Sequence, residues 1–155
     1  GLFGQGCLLG DRPHPSDDKL IANFEAHEAE FNLLIEMCRE DSNMTRIADD
    51  FLWRVDHAGW PRAESEWGIT RERWDQYKKL FKKVGLDNGL VHQGKIIMLF
   101  ANNRGLVTGG SSKGYAYLSE PPLRTFDSLD HPDSQEGIDF RPLKGNWYLY
   151  FEKSY

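Results

Sequence analysis

The chain has 155 residues, 39% of them hydrophobic and 13% aromatic, and a formal net charge of -5. That length is close to one domain and long enough to bury a sizeable core without disulfides, and the composition excludes disorder along the whole chain. The acidic balance argues against sequence-independent nucleic-acid binding, and no apolar run of about 18 residues is present that would span a membrane as a helix.

Residues 1 to 15 read as a flexible tail or tether, interrupted by Pro13 and Pro15, and residues 16 to 155 as a single α+β domain. Gly6 directly precedes Cys7, with Leu2 and Phe3 upstream and a polar, proline-containing stretch downstream. A small residue before a cysteine and a tether after it is the pattern of a bacterial lipoprotein signal, in which the thiol sulfur receives a diacylglycerol. The expectation is therefore attachment to a membrane surface through a lipid on Cys7 and a place in the bacterial cell envelope; without the lipid, the cytoplasm. Gly4 stands where an aliphatic residue is usual, and neither a charged region nor a full apolar stretch precedes it.

Ser16 is a good N-cap, followed by Asp17 and Asp18, whose charge favours the positive end of a helix. Leu20, Phe24, His27, Phe31, Leu34 and Cys38 then alternate at steps of four and three, which predicts one long helix to about residue 40. On that stripe His27 reads as a core or boundary histidine and Cys38 as a small buried hydrophobe. Residues 42 to 69 are the least legible: Ile47, Phe51, Trp53 and Val55 approximate strand alternation before Gly59, Pro61 and Gly68 break it. Thr70 caps a second helix whose apolar face is Trp74, Tyr77, Leu80, Phe81 and Val84, with Gly85 as its left-handed terminator.

At Gly85 the apolar period changes from helical to strand spacing. Lys95 to Ala101 and Leu106 to Thr108 predict a hairpin, Gly109 to Ser112 a turn, and Gly114 to Ser119, Ile138 to Leu143 and Trp147 to Glu152 further strands. The short connections require antiparallel neighbours. The expected architecture is α+β: two main N-terminal helices packed on a mainly antiparallel sheet of four to six strands. Its core should contain Phe24, Phe31, Leu34, Trp74, Phe81, Trp147, Leu149 and Phe151. Residues 17 to 41 carry eight acids and two bases, and residues 71 to 83 six bases and two acids, as expected of two solvated helix faces that attract each other.

The motifs of catalysis are absent. His27 and Glu28 begin a zinc-hydrolase pattern, but Phe31 stands where the second histidine belongs. Lys113 is followed by Gly114 rather than by Ser or Thr, so the glycines around it are turn residues and not a phosphate loop. Asp127, Asp130, His131, Asp133, Glu136 and Asp139 supply oxygen ligands without the alternate spacing of a calcium loop, which reads as a solvated loop; no metal and no cofactor is expected. His57 beside Asp56, or His92, would serve general acid-base chemistry only beside a partner that the sequence does not place.

The aromatic residues are more suggestive. Tyr148 and Tyr150 alternate with Trp147, Leu149 and Phe151, and Tyr115 and Tyr117 share a face of an earlier strand. If helices cover the Trp147 side, Tyr115, Tyr117, Tyr148 and Tyr150 would line the exposed sheet face, where a ring packs and its hydroxyl stays wet; the bland alternative is cross-strand packing.

The segments Phe24 to Asp41 (FEAHEAEFNLLIEMCRED), Ile69 to Gly85 (ITRERWDQYKKLFKKVG), Gly110 to Tyr117 (GSSKGYAY) and Gly145 to Phe151 (GNWYLYF) resemble a family of small uncharacterised bacterial proteins, many of them predicted lipoproteins. The resemblance implies an envelope-attached protein with no assigned activity, and gives a role to Cys7 alone. The functional expectation is a non-enzymatic, envelope-associated binding or interaction protein for a protein or small-molecule partner. The alternative is a small soluble enzyme with a site between the helices and the sheet.

Overall fold

In the computed structural model, residues 14–56, 63–104, 110–130 and 136–154 are described. Three α-helices, α1 (Asp17–Ala26), α2 (Glu28–Glu40) and α3 (Arg71–Val84), lie with one antiparallel sheet of seven strands. The strands are β1 (Met44–Ile47), β2 (Leu52–Arg54), β3 (Leu90–Gln93), β4 (Ile96–Arg104), β5 (Gly110–Leu118), β6 (Gly137–Lys144) and β7 (Trp147–Ser154), in the order β2-β1-β3-β4-β5-β7-β6. The α+β class is as the apolar periods predict; the strand count is not. The three additional strands are β1, β2 and β3, each of three or four residues, too short for alternation to stand out from background.

The helix predicted from Ser16 to about residue 40 is two helices. At His27 the backbone leaves helical geometry (φ -131°, ψ 30°) and its N–H is shared between the carbonyls of Asn23 and Phe24. The apolar stripe runs through the break, so the pattern does not announce it. The ends are set as the sequence suggests. Ser16 Oγ accepts from the Lys19 N–H and Thr70 Oγ1 from the Arg73 N–H, each at 3.1 Å. Gly85 is left-handed (φ 75°), and the Leu86 N–H returns to the Phe81 carbonyl at 2.8 Å while both side chains are buried. Of the predicted turn over Gly109 to Ser112, Gly109 lies outside the described residues and residues 110 to 112 are instead the start of β5, in which Ser111 and Ser112 pair with Lys153 and Glu152. The proposed strand over 106–108 lies outside the described residues.

The helices cover one face of the sheet. Phe24, Phe31, Leu34, Trp74, Phe81, Trp147, Leu149 and Phe151 are all buried, and with Tyr77, Leu90, Leu99 and Tyr115 they belong to one apolar cluster. Phe31 sits at its centre, with ring centroids 5.2 Å from Phe24, 4.6 Å from Tyr115 and 5.6 Å from Trp147. Opposite charges on α2 and α3 meet as expected: Arg73 reaches Glu40 at 2.6 Å and Asp41 at 2.8 Å, and Lys83 reaches Glu30 at 2.9 Å. Cys38 is buried, and desolvation pushes its thiol up to about 12, so it packs as an inert hydrophobe.

A bulge in β4 between Phe100 and Asn102 brings that strand close to Gly114 of β5. A Cβ there would lie 2.1 Å from the Leu99 carbonyl oxygen and 2.8 Å from the Ala101 nitrogen, so the position admits only glycine.

Truncating Phe31 to Ala removes a fully buried ring and should destabilise the fold by about 3 to 5 kcal/mol. Urea unfolding followed by circular dichroism measures this, and a loss below about 1 kcal/mol would contradict a central position for the ring.

Candidate functional site

Among the described residues, three places gather several chemistry-bearing side chains. The first is a buried charge cluster at the start of α1. Asp17, fully buried, pairs through Oδ1 with Lys113 Nζ and through Oδ2 with Arg141 Nη1, both at 2.8 Å, and Oδ2 also accepts the Leu129 N–H at 2.7 Å. Its own backbone N–H donates to Asp130 Oδ1 at 2.7 Å, and the same oxygen lies 3.3 Å from Lys113 Nζ. Burial by itself raises the Asp17 pKa, but the donors from Lys113, Leu129 and Arg141 outweigh it and hold the carboxyl below its ordinary value of 3.8. Lys113 is buried as well. Each charge is compensated, so the cluster ties α1, β5, β6 and the segment before β6 together. Asp130 of the acidic run, though exposed like Asp127 and Glu136, is tied into this pairing; His131 and Asp133 of that run lie outside the described residues.

The second place is a cleft of about 430 Å³ between α1, the end of α3 and the β4–β5 pair, lined by Lys19, Asn23, Asp87, Asn102 and Tyr115. This is where an enzyme site between helices and sheet would lie. Tyr115 and Asn23 are occupied there, whereas Asn102 Oδ1 is buried without a partner among the described residues. Tyr115 Oη donates to the Leu20 carbonyl at 2.8 Å and accepts from Asn23 Nδ2 at 3.1 Å, and Asn23 Nδ2 also donates to the Val84 carbonyl. Desolvation pushes the Tyr115 hydroxyl up to about 12, so it does not exchange protons near neutrality.

The third is the sheet face turned away from the helices. Register assigns its members, because directly paired residues point to the same side. Arg46 pairs with both Trp53 and Val91, Val91 with Met98, Met98 with Ala116 and Ala116 with Tyr148; two residues along, Phe100 and Tyr150 flank Gly114, and Phe140 pairs with Tyr150. Ala116, Leu118 and Tyr150 form a second, separate apolar cluster with Met98, Phe100, Phe140 and Tyr148 packed on it. Among the described residues no helix contributes to this cluster. Trp53, Ile96 and Ile138 stand exposed at 43%, 44% and 40%. Beside Ile96 the face deepens into an apolar groove of about 510 Å³ walled by Leu118, Pro121, Pro122, Leu123 and Phe140.

Register also separates the four tyrosines expected on one surface. Tyr115 pairs with Leu149 and Tyr117 with Trp147, which puts both on the helix side; Tyr148 and Tyr150 pair with Ala116 and Gly114 on the open side. Tyr115 is buried against Phe24 and Phe31, and Tyr117 packs edge-on to Trp147 at 5.1 Å and bonds Arg39. Tyr150 is fully buried with its hydroxyl 2.5 Å from Ser112 Oγ, so Tyr148 alone of the four is partly exposed on the open face. The shared-face expectation is thus corrected: alternation along a strand specifies which residues go together, but not which residues of the next strand they oppose.

Of the other candidates, His27 is partly exposed and 3.7 Å from Glu30, and burial lowers the pKa of His92, which faces the helix layer beside Ile97. His57 and Cys7 lie outside the described residues. Sequence reasoning missed two sites. His14 Nε2 and Ser111 Oγ meet at 2.6 Å across 97 positions, which no local pattern foretells. Arg46 occupies the open face, and a lone basic residue among Ile47, Phe51 and Trp53 was the available signal. No family model matches the chain, and no curated protein or solved structure is significantly similar to it.

Replacing Asp17 by Asn leaves Lys113 and Arg141 without their main counter-charge and should cost about 3 to 5 kcal/mol. Because the folded-state pKa lies below the unfolded value, the carboxylate's contribution is complete above about pH 3.8 and is lost as pH falls through the folded value. Urea midpoints between pH 6 and pH 2 should fall at the acid end in the parent and be flatter in Asp17→Asn; equal slopes would refute the linkage.

Proposed function

We propose that this protein is a non-enzymatic binding protein whose recognition surface is the open face of the sheet. The observation that carries the reading is the second apolar cluster, on a face that no helix of the described residues covers. A sheet hydrophobic on both faces ordinarily buries both. Here one is packed by α1, α2 and α3, and the other shows Trp53, Ile96, Met98, Phe100, Phe140 and Tyr148 at least partly to solvent. Contiguous exposed apolar surface of this kind marks interaction sites in soluble proteins.

A photo-crosslinking phenylalanine analogue placed at Ile96 or Tyr148 in the producing cell should yield defined adducts, protein or small molecule, identified by mass. The same analogue at Glu36 or Lys79, exposed on α2 and α3, should yield none. Equal adducts from both sets, or none from the open face, would refute the reading.

Envelope attachment through a lipid on Cys7 belongs to the same proposal and draws its support from the sequence around Gly6 and Cys7. Mass spectrometry of membrane-extracted protein should find a diacylglyceryl group on Cys7, and unmodified protein recovered from the cytosol with residues 1 to 6 in place would defeat it.

One observation favours the runner-up, a small enzyme: the hydroxyl-imidazole contact of Ser111 and His14 is the pairing a serine nucleophile uses. Covalent labelling of Ser111 by a fluorophosphonate, abolished by His14→Ala, would promote that reading; unlabelled Ser111 would retire it.

A further inference from the structure

Arg46 is the unusual residue of the open face. Its guanidinium carbon lies 5.0 Å from the Phe51 ring centroid and 4.7 Å from that of Phe100, and Nη1 donates to the Leu90 and Ile47 carbonyls at 3.0 and 3.2 Å. Among the described residues no carboxylate comes within ion-pair distance of it, although nine other lysines and arginines have one. Desolvation lowers its pKa to about 10, against the opposing fields of Tyr150 and Asp50. Arg46 is half-buried, and a cation partly withdrawn from water is favourably matched by an anion. Two aromatic faces and two carbonyls hold this one flat and oriented, and leave Nε and Nη2 without a protein partner among the described residues.

We propose that the open face binds a long-chain carboxylate, its head group on Arg46 and its aliphatic tail in the groove of Ile96, Leu118 and Phe140. The inference rests on the reading of that face as the recognition surface. The planar fork of a guanidinium matches the two oxygens of a carboxylate. The guanidinium lies over Phe100, four residues along β4 from Ile96, so anchor and groove are about 14 Å apart in backbone terms. An acyl chain leaving Arg46 crosses Met98 to reach the groove. A peptide fits the surface less well, since each residue brings a donor and an acceptor that Ile96, Leu118, Leu123 and Phe140 cannot satisfy, and of the groove's polar members Lys95 and Glu120 are already paired with each other. Of the nearby acids, Glu152 lies at the level of Ser112 and so away from the groove, and Glu120, which lines the groove, is paired with Lys95 at 2.7 Å.

The full chain is titrated calorimetrically with dodecanoate and with dodecanol, both below their aggregation limits, and the dodecanoate complex is mapped by amide NMR. Saturable dodecanoate binding at least tenfold tighter than dodecanol binding, with shifts at Ile96, Leu118 and Phe140, is the expected result. Arg46→Gln should erase the tenfold preference, and Ile96→Asp, at an exposed position, should weaken both ligands. Should Arg46→Gln fail to fold by circular dichroism, the wild-type preference and Ile96→Asp decide the matter. Equal affinity for the two ligands, absence of saturable dodecanoate binding, or shifts confined to the helix side would overturn the proposal. If dodecanoate fails while crosslinks from Tyr148 persist, the carboxylate assignment alone falls; if those crosslinks are also absent, the surface reading falls with it.

Discussion

The register of β5 against β7 is the constraint on which the rest of this structure depends. With Tyr117 opposite Trp147 and Tyr115 opposite Leu149, the large rings of both strands enter the helix-covered core together. Ala116 and Gly114 then stand opposite Tyr148 and Tyr150, so small residues of β5 give room to tyrosines of β7 on the far side. A slip of one residue would drive Tyr115 out of the Phe24 and Phe31 contacts and push Gly114 into the core. The β4 bulge reinforces the alignment, because Gly114 is the position where β5 passes within contact distance of the β4 backbone. Arrangement of the core and composition of the open face are therefore two consequences of one pairing.

Charge holds the helix layer to the sheet at its edges while the apolar core fills the middle. Asp17 brings the first turn of α1 to Lys113 of β5 and Arg141 of β6, and Lys144 reaches Glu28 of α2 at 2.8 Å. The two kinds of pair differ in worth. The exposed Lys144–Glu28 pair is screened and contributes little to stability. The Asp17 carboxylate is desolvated, and its value lies less in net energy than in what its loss would leave behind: the buried Lys113 without its nearer carboxylate and the half-buried Arg141 without one. Such a group disfavours alternative dockings of α1, since any other position exposes the same charges to an apolar neighbour.

The open face has the opposite electrostatic character. Apart from Arg46 and Glu152 its paired positions carry no charge, and Arg46 is stabilised by ring quadrupoles and carbonyl dipoles instead of an anion. The buried Lys113 and the half-buried Arg46 thus show two answers to a cation drawn into one sheet. On the helix side the fold supplies the counter-charge; on the open side the described residues do not, which is what makes the face suited to an amphipathic anion.

The sequence by itself determined the elements whose pattern is long. The caps at Ser16 and Thr70, the left-handed stop at Gly85, the burial of Phe31, Trp74 and Leu149, and the α+β class all follow from periods that repeat several times within one element. Only the tertiary structure decided what depends on pairing between distant segments. Strands β1 to β3 are too short to carry a period and exist because β4 offers an edge to extend. The break at His27 interrupts the helix without interrupting its stripe. Tyr115 and Tyr117 belong to the core because of the strand they oppose, and Arg46 reaches the open face because β1 pairs with β3. Periodicity is a property of neighbours along the chain, whereas register, the fate of a lone arginine and the meeting of Asp17 with Lys113 and Arg141 are properties of neighbours in space.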